Sequence, residues 1–292
     1  MTSSADDWER QLAELRISPG ARLRTGPVRR VVSRVTGALG GVASVAGFYR
    51  AAAAAVPVHQ LLMGITLGAF AVQKAAGEAA MYSGARINGA IRAGQWHRLF
   101  SPVFLHGGVQ HLLSNLYSLW RIGPLVESSF GSGATLLLFL AAGLGGNLAG
   151  LVWGGRAMSV GASGAVFGLM GSVLAFVWRN KRALGSSGDA LVSAVGQVLF
   201  LNLYLGSRPG SGVDNLAHLG GLAAGLFVGL LVAPGPAAAP VGRWGRSSPG
   251  LAPAALPPAA VRALLYGLVA AYALAIKDAV GLGRLVRRRV FR

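Results

Sequence analysis

Few residues in this chain are suited to chemistry. Ser163 lies in Val160-Gly161-Ala162-Ser163-Gly164-Ala165-Val166-Phe167-Gly168-Leu169-Met170-Gly171, at the head of a long apolar run. The glycines beside it leave the backbone bare for close approach, and a hydroxyl brought to a helix N-terminus is what an activated nucleophile needs. The same letters also carry a plainer reading, because Gly164 and Gly168 repeat the small-xxx-small pattern by which membrane helices pack. Among the histidines in apolar runs are His106, His111 with Asn115 four residues on, and His218 in Asp214-Asn215-Leu216-Ala217-His218-Leu219-Gly220-Gly221. Such side chains are expensive in lipid, so each raises a functional question. His111 and Asn115 share a helical face and can converge on one point, or can act only as hydrogen-bonded glue between helices.

The elements that must position these residues follow from composition. Hydrophobic residues make up 53% of the 292 and charged residues only 12%, with a mean hydropathy of +0.54. Soluble domains carry about 25% charge, so the chain reads as a polytopic membrane protein. Uncharged runs cover 51–73, 99–120, 128–155, 157–178, 190–207 and 215–242. Each approaches or exceeds the roughly 20 apolar residues of a membrane-spanning helix, so six spans are expected. No alternating ten-residue segments appear, and the fold class is therefore all-α rather than a barrel. Gly221 and Gly225 form a second small-residue stripe, the natural partner of Gly164 and Gly168. Packing the two stripes brings Ser163 and His218 within hydrogen-bond reach, and a serine beside an imidazole is the basic unit of nucleophilic acyl transfer. Asp214 invites completion of a triad, but at the start of its helix it reads more simply as the N-terminal cap. The elbow of soluble hydrolases is excluded, since that motif needs a residue between the serine and the following glycine.

The chain divides into a basic N-terminal region (1–50), the membrane domain (51–232), a Pro/Ala/Gly linker (233–260) and a C-terminal helix with a basic tail (261–292). Residues 1–50 resemble an organelle transit segment in their arginines but not in their acids, and no apolar core of a secretory signal follows the first basic residues. A plastid or mitochondrial membrane is one expectation. The first span ends near Lys74, and the connection 74–100 looks amphipathic and interfacial, with Trp96 at headgroup depth. The second span is expected from about Pro102 to Arg121, followed by a Gly123-Pro124 turn. An apolar segment at 263–276, only 14 residues long, suits an interfacial or tilted helix. With six spans and the N-terminus inside, 21 basic residues lie inside against 6 outside; a seventh crossing makes it 15 to 12, so charge favours six.

The net charge of +18 raises nucleic acid as a partner. The arginines flank apolar runs instead of forming stripes with aromatics, so lipid phosphates are the expected contact and nucleic acid is not. Zero cysteines excludes disulfides and thiolate catalysis, and no metal or cofactor is expected.

Gly161-Ala162-Ser163-Gly164, Ala217-His218-Leu219-Gly220-Gly221, and His106 with His111 and Asn115 together resemble the rhomboid intramembrane serine proteases, over about residues 90–232. The resemblance implies a six-helix bundle with Ser163 as nucleophile and His218 as general base, a dyad without an acid. It implies that His111 and Asn115 join the Ser163 N–H in an oxyanion hole, that Gly161 shapes the adjoining loop, that Phe167 packs on His218, and that His106 braces the first loop. Transmembrane segments of other proteins would be the substrates. Two positions depart from the family pattern: His97 stands where the family often has the tryptophan of Trp-Arg, and Ser128 and Ser129 follow Glu127 where an arginine partner is common. The alternative within the same likeness is a non-catalytic membrane protein that binds clients. A channel or transporter is disfavoured, because the acids lie outside the uncharged runs and no inverted repeat is visible.

Overall fold

Apolar backbone in lipid must satisfy its N–H and C=O groups internally, and the uncharged runs accordingly fold as helices. The structure is a computed structural model describing residues 56–154, 158–235 and 259–272. It begins with α1 (Val58–Ala76) and two short helices, α2 (Glu78–Gly84) and α3 (Asn88–Arg92), followed by 3₁₀ turns at Trp96–Leu99 and Ser101–Phe104. Then come α4 (Val109–Phe130), α5 (Ser132–Val152), α6 (Ser163–Leu184), α7 (Ser186–Gly206), α8 (Asn215–Val232) and α9 (Ala259–Tyr272). An isolated antiparallel bridge joins Arg86 to Ser159. The N-terminal region 1–50, most of the linker and the basic tail lie outside the described residues.

Among the described residues three helices, α5, α7 and α8, are long and apolar enough to cross a membrane. The α1, α4 and α6 helices match them in length, with 19, 22 and 22 residues, but are less apolar. Outward faces are apolar: Tyr117 and Trp120 of α4, Phe200 and Tyr204 of α7 and Phe227 of α8 are all exposed. Such a surface suits lipid.

Two expected boundaries are corrected. Residues 101–108 are not helical, because Pro102 sits in a 3₁₀ turn and Gly107-Gly108 follow it, so α4 starts only at Val109. Pro124 does not end this helix but lies inside it, with its ring exposed. Continuing the helix carries Glu127 to the start of α1, where it accepts hydrogen bonds from the Val58 and His59 N–H groups at 2.8 and 3.1 Å. The stop is Gly131, whose φ of +81° suits glycine better than any other residue. In the connection 74–100, Arg86, His97 and Arg98 are buried, while Arg92 and Trp96, the latter 61% exposed, face outward.

The α5, α6 and α8 helices pack most closely. A Cβ placed on Gly221 would collide with the Gly164 carbonyl, and one on Gly225 with the Gly168 carbonyl. Backbone thus lies directly on backbone, as membrane helix interfaces built from small residues allow. The α9 helix docks on α5 through Tyr272, whose hydroxyl donates to the Leu140 carbonyl at 2.9 Å.

This packing generates a contrast between two glycines. Gly225→Val should lower stability by at least ~1–3 kcal/mol, because the facing backbone cannot retreat as a side chain can. Gly64→Ala, with no atom within 4 Å of the added carbon, should leave the melting midpoint nearly unchanged. Thermal unfolding of both variants in detergent is the measurement, and equal midpoints would refute the close-packed seam.

Candidate active site

Ser163 is the first residue of α6, and the loop before it is held in place at Gly161. The Gly161 N–H donates to the Pro102 carbonyl at 2.9 Å, and its φ is +132°. A Cβ there would also lie 2.7 Å from Cε1 of His111, so glycine is required on two counts. The first N–H groups of a helix have no preceding turn to bond to, so the backbone amides of Ser163 and Gly164 are free of intrahelical partners.

Asp214 caps α8, accepting the Ala217 N–H at 3.0 Å, and His218 follows one turn later. The glycine seam brings the two helix starts together: Nε2 of His218 lies 2.8 Å from Oγ of Ser163. Phe167, one turn below Ser163, stacks on the imidazole with ring centroids 4.2 Å apart and planes 13° from parallel. The other ring nitrogen, Nδ1, is buried and meets no hydrogen-bonding group among the described residues. Asp214 does not reach it. One carboxylate oxygen caps the helix, as the sequence suggests, and the other is paired with the Arg86 guanidinium.

His111 and Asn115 line the same cavity as Ser163 and His218, a space of about 630 Å³. Asn115 is buried and donates one amide hydrogen to the His111 carbonyl at 2.9 Å. Gln110, Ser114 and Ser118 of α4 and Asn202 of α7 give the cavity a polar lining. His106 does not line it. Fully buried, its ring stands 5.1 Å from that of His111, and its backbone N–H and carbonyl are both held by the Gln73 side chain, at 3.0 and 2.7 Å. Gly221 contributes the close approach of α8 and no contact of its own with the cavity.

Several supporting contacts escaped the sequence reading. The partner of Glu127 is His59, with Nδ1 to Oε2 at 2.6 Å, joined by the Ser132 hydroxyl at 2.6 Å. Arg98 donates to the Tyr82 and Ala85 carbonyls at 2.6 and 2.9 Å, and burial holds its guanidinium below the ordinary arginine range. Asn147 donates to the Leu99 carbonyl at 2.9 Å. Gln73 and His59 lie at the ends of an apolar run, where a polar residue normally marks a boundary, so nothing local distinguished them.

A family model described as the Rhomboid domain matches residues 93–235. The rhomboid protease GluP of Bacillus subtilis (strain 168) is 39% identical over 145 residues, which are 49% of this chain and 27% of that protein. RHOMBOID-like protein 4 of Arabidopsis thaliana is 38% identical over 149 residues, 51% of this chain and 37% of that one. The chain thus spans well under half the length of these two relatives. It covers 71% of the putative rhomboid protease YdcA of Bacillus subtilis (strain 168), at 31% identity over 145 residues. That coverage, the domain match and the helical, apolar architecture agree, and the chain belongs to the rhomboid family of membrane proteins.

Proposed function

We propose that this chain is an intramembrane serine endopeptidase that cuts transmembrane segments of other membrane proteins. The observation that carries the reading is the 2.8 Å contact between Ser163 Oγ and His218 Nε2 beside a polar-lined cavity in a bundle of apolar helices. Its relatives include proteins named as rhomboid proteases. In this reading α1, α4 and α6 cross the bilayer along with α5, α7 and α8, giving six spans with α9 as an extra C-terminal helix. Residues 1–50 act as a targeting or accessory segment ahead of the membrane domain 51–232. A plastid or mitochondrial membrane is the proposed location; import of a reporter fused to residues 1–50 into isolated organelles tests it, and failure of import into both kinds rejects it.

The proposed reaction begins with Ser163 Oγ attacking the scissile carbonyl carbon while Nε2 of His218 takes the hydroxyl proton. The tetrahedral intermediate places its negative oxygen against the Ser163 N–H, with His111 and Asn115 as side-chain donors. Collapse breaks the C–N bond, and His218 returns the proton to the leaving amine. Water, activated by the same imidazole, then releases the acyl group and restores Ser163. Each oxyanion donor of this kind contributes about 2.7–4 kcal/mol to the transition state. Helical peptide bonds are shielded by their own hydrogen bonds, so substrates with helix-weakening residues near the cut are favoured.

Ser163→Ala should abolish cleavage of a model transmembrane substrate and labelling by a serine-reactive fluorophosphonate, with the melting midpoint unchanged. His218→Ala should do the same while losing ~0.5–1.5 kcal/mol of stability with the Phe167 stack. Proteolysis that survives Ser163→Ala would reject the dyad. A wild-type chain that binds such segments but neither cuts nor labels would be a client-binding protein instead.

Asn115→Ala separates an oxyanion role from helix glue. As a transition-state donor, its loss should lower turnover roughly ten- to a thousandfold with little change in KM. As glue it should cost only about 0.6 kcal/mol of stability, with activity following the folded fraction. Turnover and melting midpoint measured on one preparation decide between them.

A further inference from the structure

Arg86 stands outside the reaction just described, yet it touches both helix starts. Its backbone N–H and carbonyl exchange hydrogen bonds with Ser159 at 3.0 and 3.1 Å, an isolated antiparallel bridge. Its guanidinium pairs with the Asp214 carboxylate. Ser159 lies four residues before Ser163, and Asp214 lies four residues before His218. We propose that Arg86 is a positioning residue for the Ser163–His218 contact, tying the loop that leads into α6 to the cap that starts α8.

The site is built for this side chain. Arg86 is only 2% exposed, and a Cβ on Gly150 of α5 would collide with its guanidinium, so the glycine leaves the room it occupies. Nη1 donates to Asn88 Oδ1 at 3.0 Å, and Asn88 Nδ2 in turn donates to the Gly150 carbonyl at 2.8 Å. Three elements therefore fix one planar group. Burial draws the Arg86 pKa below the ordinary value and Asp214 opposes that shift, so the two charges depend on each other. The planar fork matters, because a lysine reproduces the charge but not the paired geometry. Misplacing reacting groups by about 1 Å costs on the order of a hundredfold in rate, so a tie that loosens both helix starts acts on turnover before it acts on folding.

The inference rests on the proposed protease reading, and the test keeps the two apart. Four full-length variants, Arg86→Gln, Arg86→Lys, Asp214→Asn and the double Arg86→Gln/Asp214→Asn, are compared with wild type. Turnover, KM for a model transmembrane substrate, fluorophosphonate labelling, melting midpoint and hydrogen exchange across 158–163 and 213–218 are measured. Arg86→Gln should lower turnover and labelling rate roughly a hundredfold with KM within about twofold, and should speed exchange in both segments. Arg86→Lys should recover to within about tenfold of wild type. Asp214→Asn keeps the cap acceptor but strands a buried charge, so it should be slow, and the double variant faster than it. Unchanged exchange in both segments, or a rate loss that merely follows the unfolded fraction, overturns the role. If Arg86→Gln does not fold, Arg86→Lys and Asp214→Asn carry the same comparison. A wild-type chain without cleavage or labelling rejects the protease reading, while exchange still reports whether Arg86 holds the two segments.

Discussion

The closest approach of α6 and α8 is the constraint on which everything else depends. The carbonyls of Gly164 and Gly168 occupy the space where side chains at 221 and 225 would begin. Between membrane helices there is no hydrophobic driving force, so such contact relies on dispersion between atoms that lie very close. The match repeats four residues along on both helices, which fixes their register as well as their separation. A slip of one turn would move one helix about 5.4 Å along the other and part Ser163 from His218. The α5 helix joins from a third side, where a Cβ on Gly146 would press on the Ala217 carbonyl.

Around this seam, the irregular backbone from 85 to 108 needs partners that water supplies in a soluble loop. Side chains supply them here. Arg98 serves the carbonyls of Tyr82 and Ala85, Ser101 that of Gly84, Asn147 that of Leu99, and Gln73 both sides of His106. Non-helical backbone at membrane depth is tolerated only where protein or a cavity satisfies it. Arg86, His97 and Arg98 accordingly face inward, while Arg92 and Trp96 stay exposed, so the segment keeps two distinct faces.

What was legible in the sequence is what depends on local periodicity. Two glycine stripes of spacing four, each beside a chemically capable residue, pack in a way that brings Ser163 to His218, whereas the stacking of Phe167 was implied by the family resemblance. His111 and Asn115 were legible as one helical face, four residues apart, and their place beside Ser163 came from the same resemblance. The pairs that escaped join residues far apart in the chain: His59 with Glu127, Gln73 with His106, Arg86 with Asp214. Nothing in the spacing of either partner announces the other. Asp214 shows the limit well, because its cap role is local and was read, whereas its second oxygen answers to Arg86, 128 residues away. Helix ends failed for a related reason: Pro124 looks like a stop only until the benefit of keeping Glu127 against α1 is counted.

The same ion pair bears on how the proposed Ser163–His218 dyad is held. In a triad the carboxylate orients the imidazole and stabilises its charged form. Here the nearby carboxylate is paired with a guanidinium, and Nδ1 of His218 has no acceptor among the described residues. Orientation must come from packing instead, from Phe167 against one face of the ring and from the fixed backbone of α8. Stabilisation of the developing charge in the proposed reaction then falls on the opposite side, on the first-turn amides of α6 and the donors of α4, where the helix dipole already favours an anion. In the proposed reaction the electrostatic work thus shifts from the base to the oxyanion, and the start of α6 becomes the element whose placement matters most.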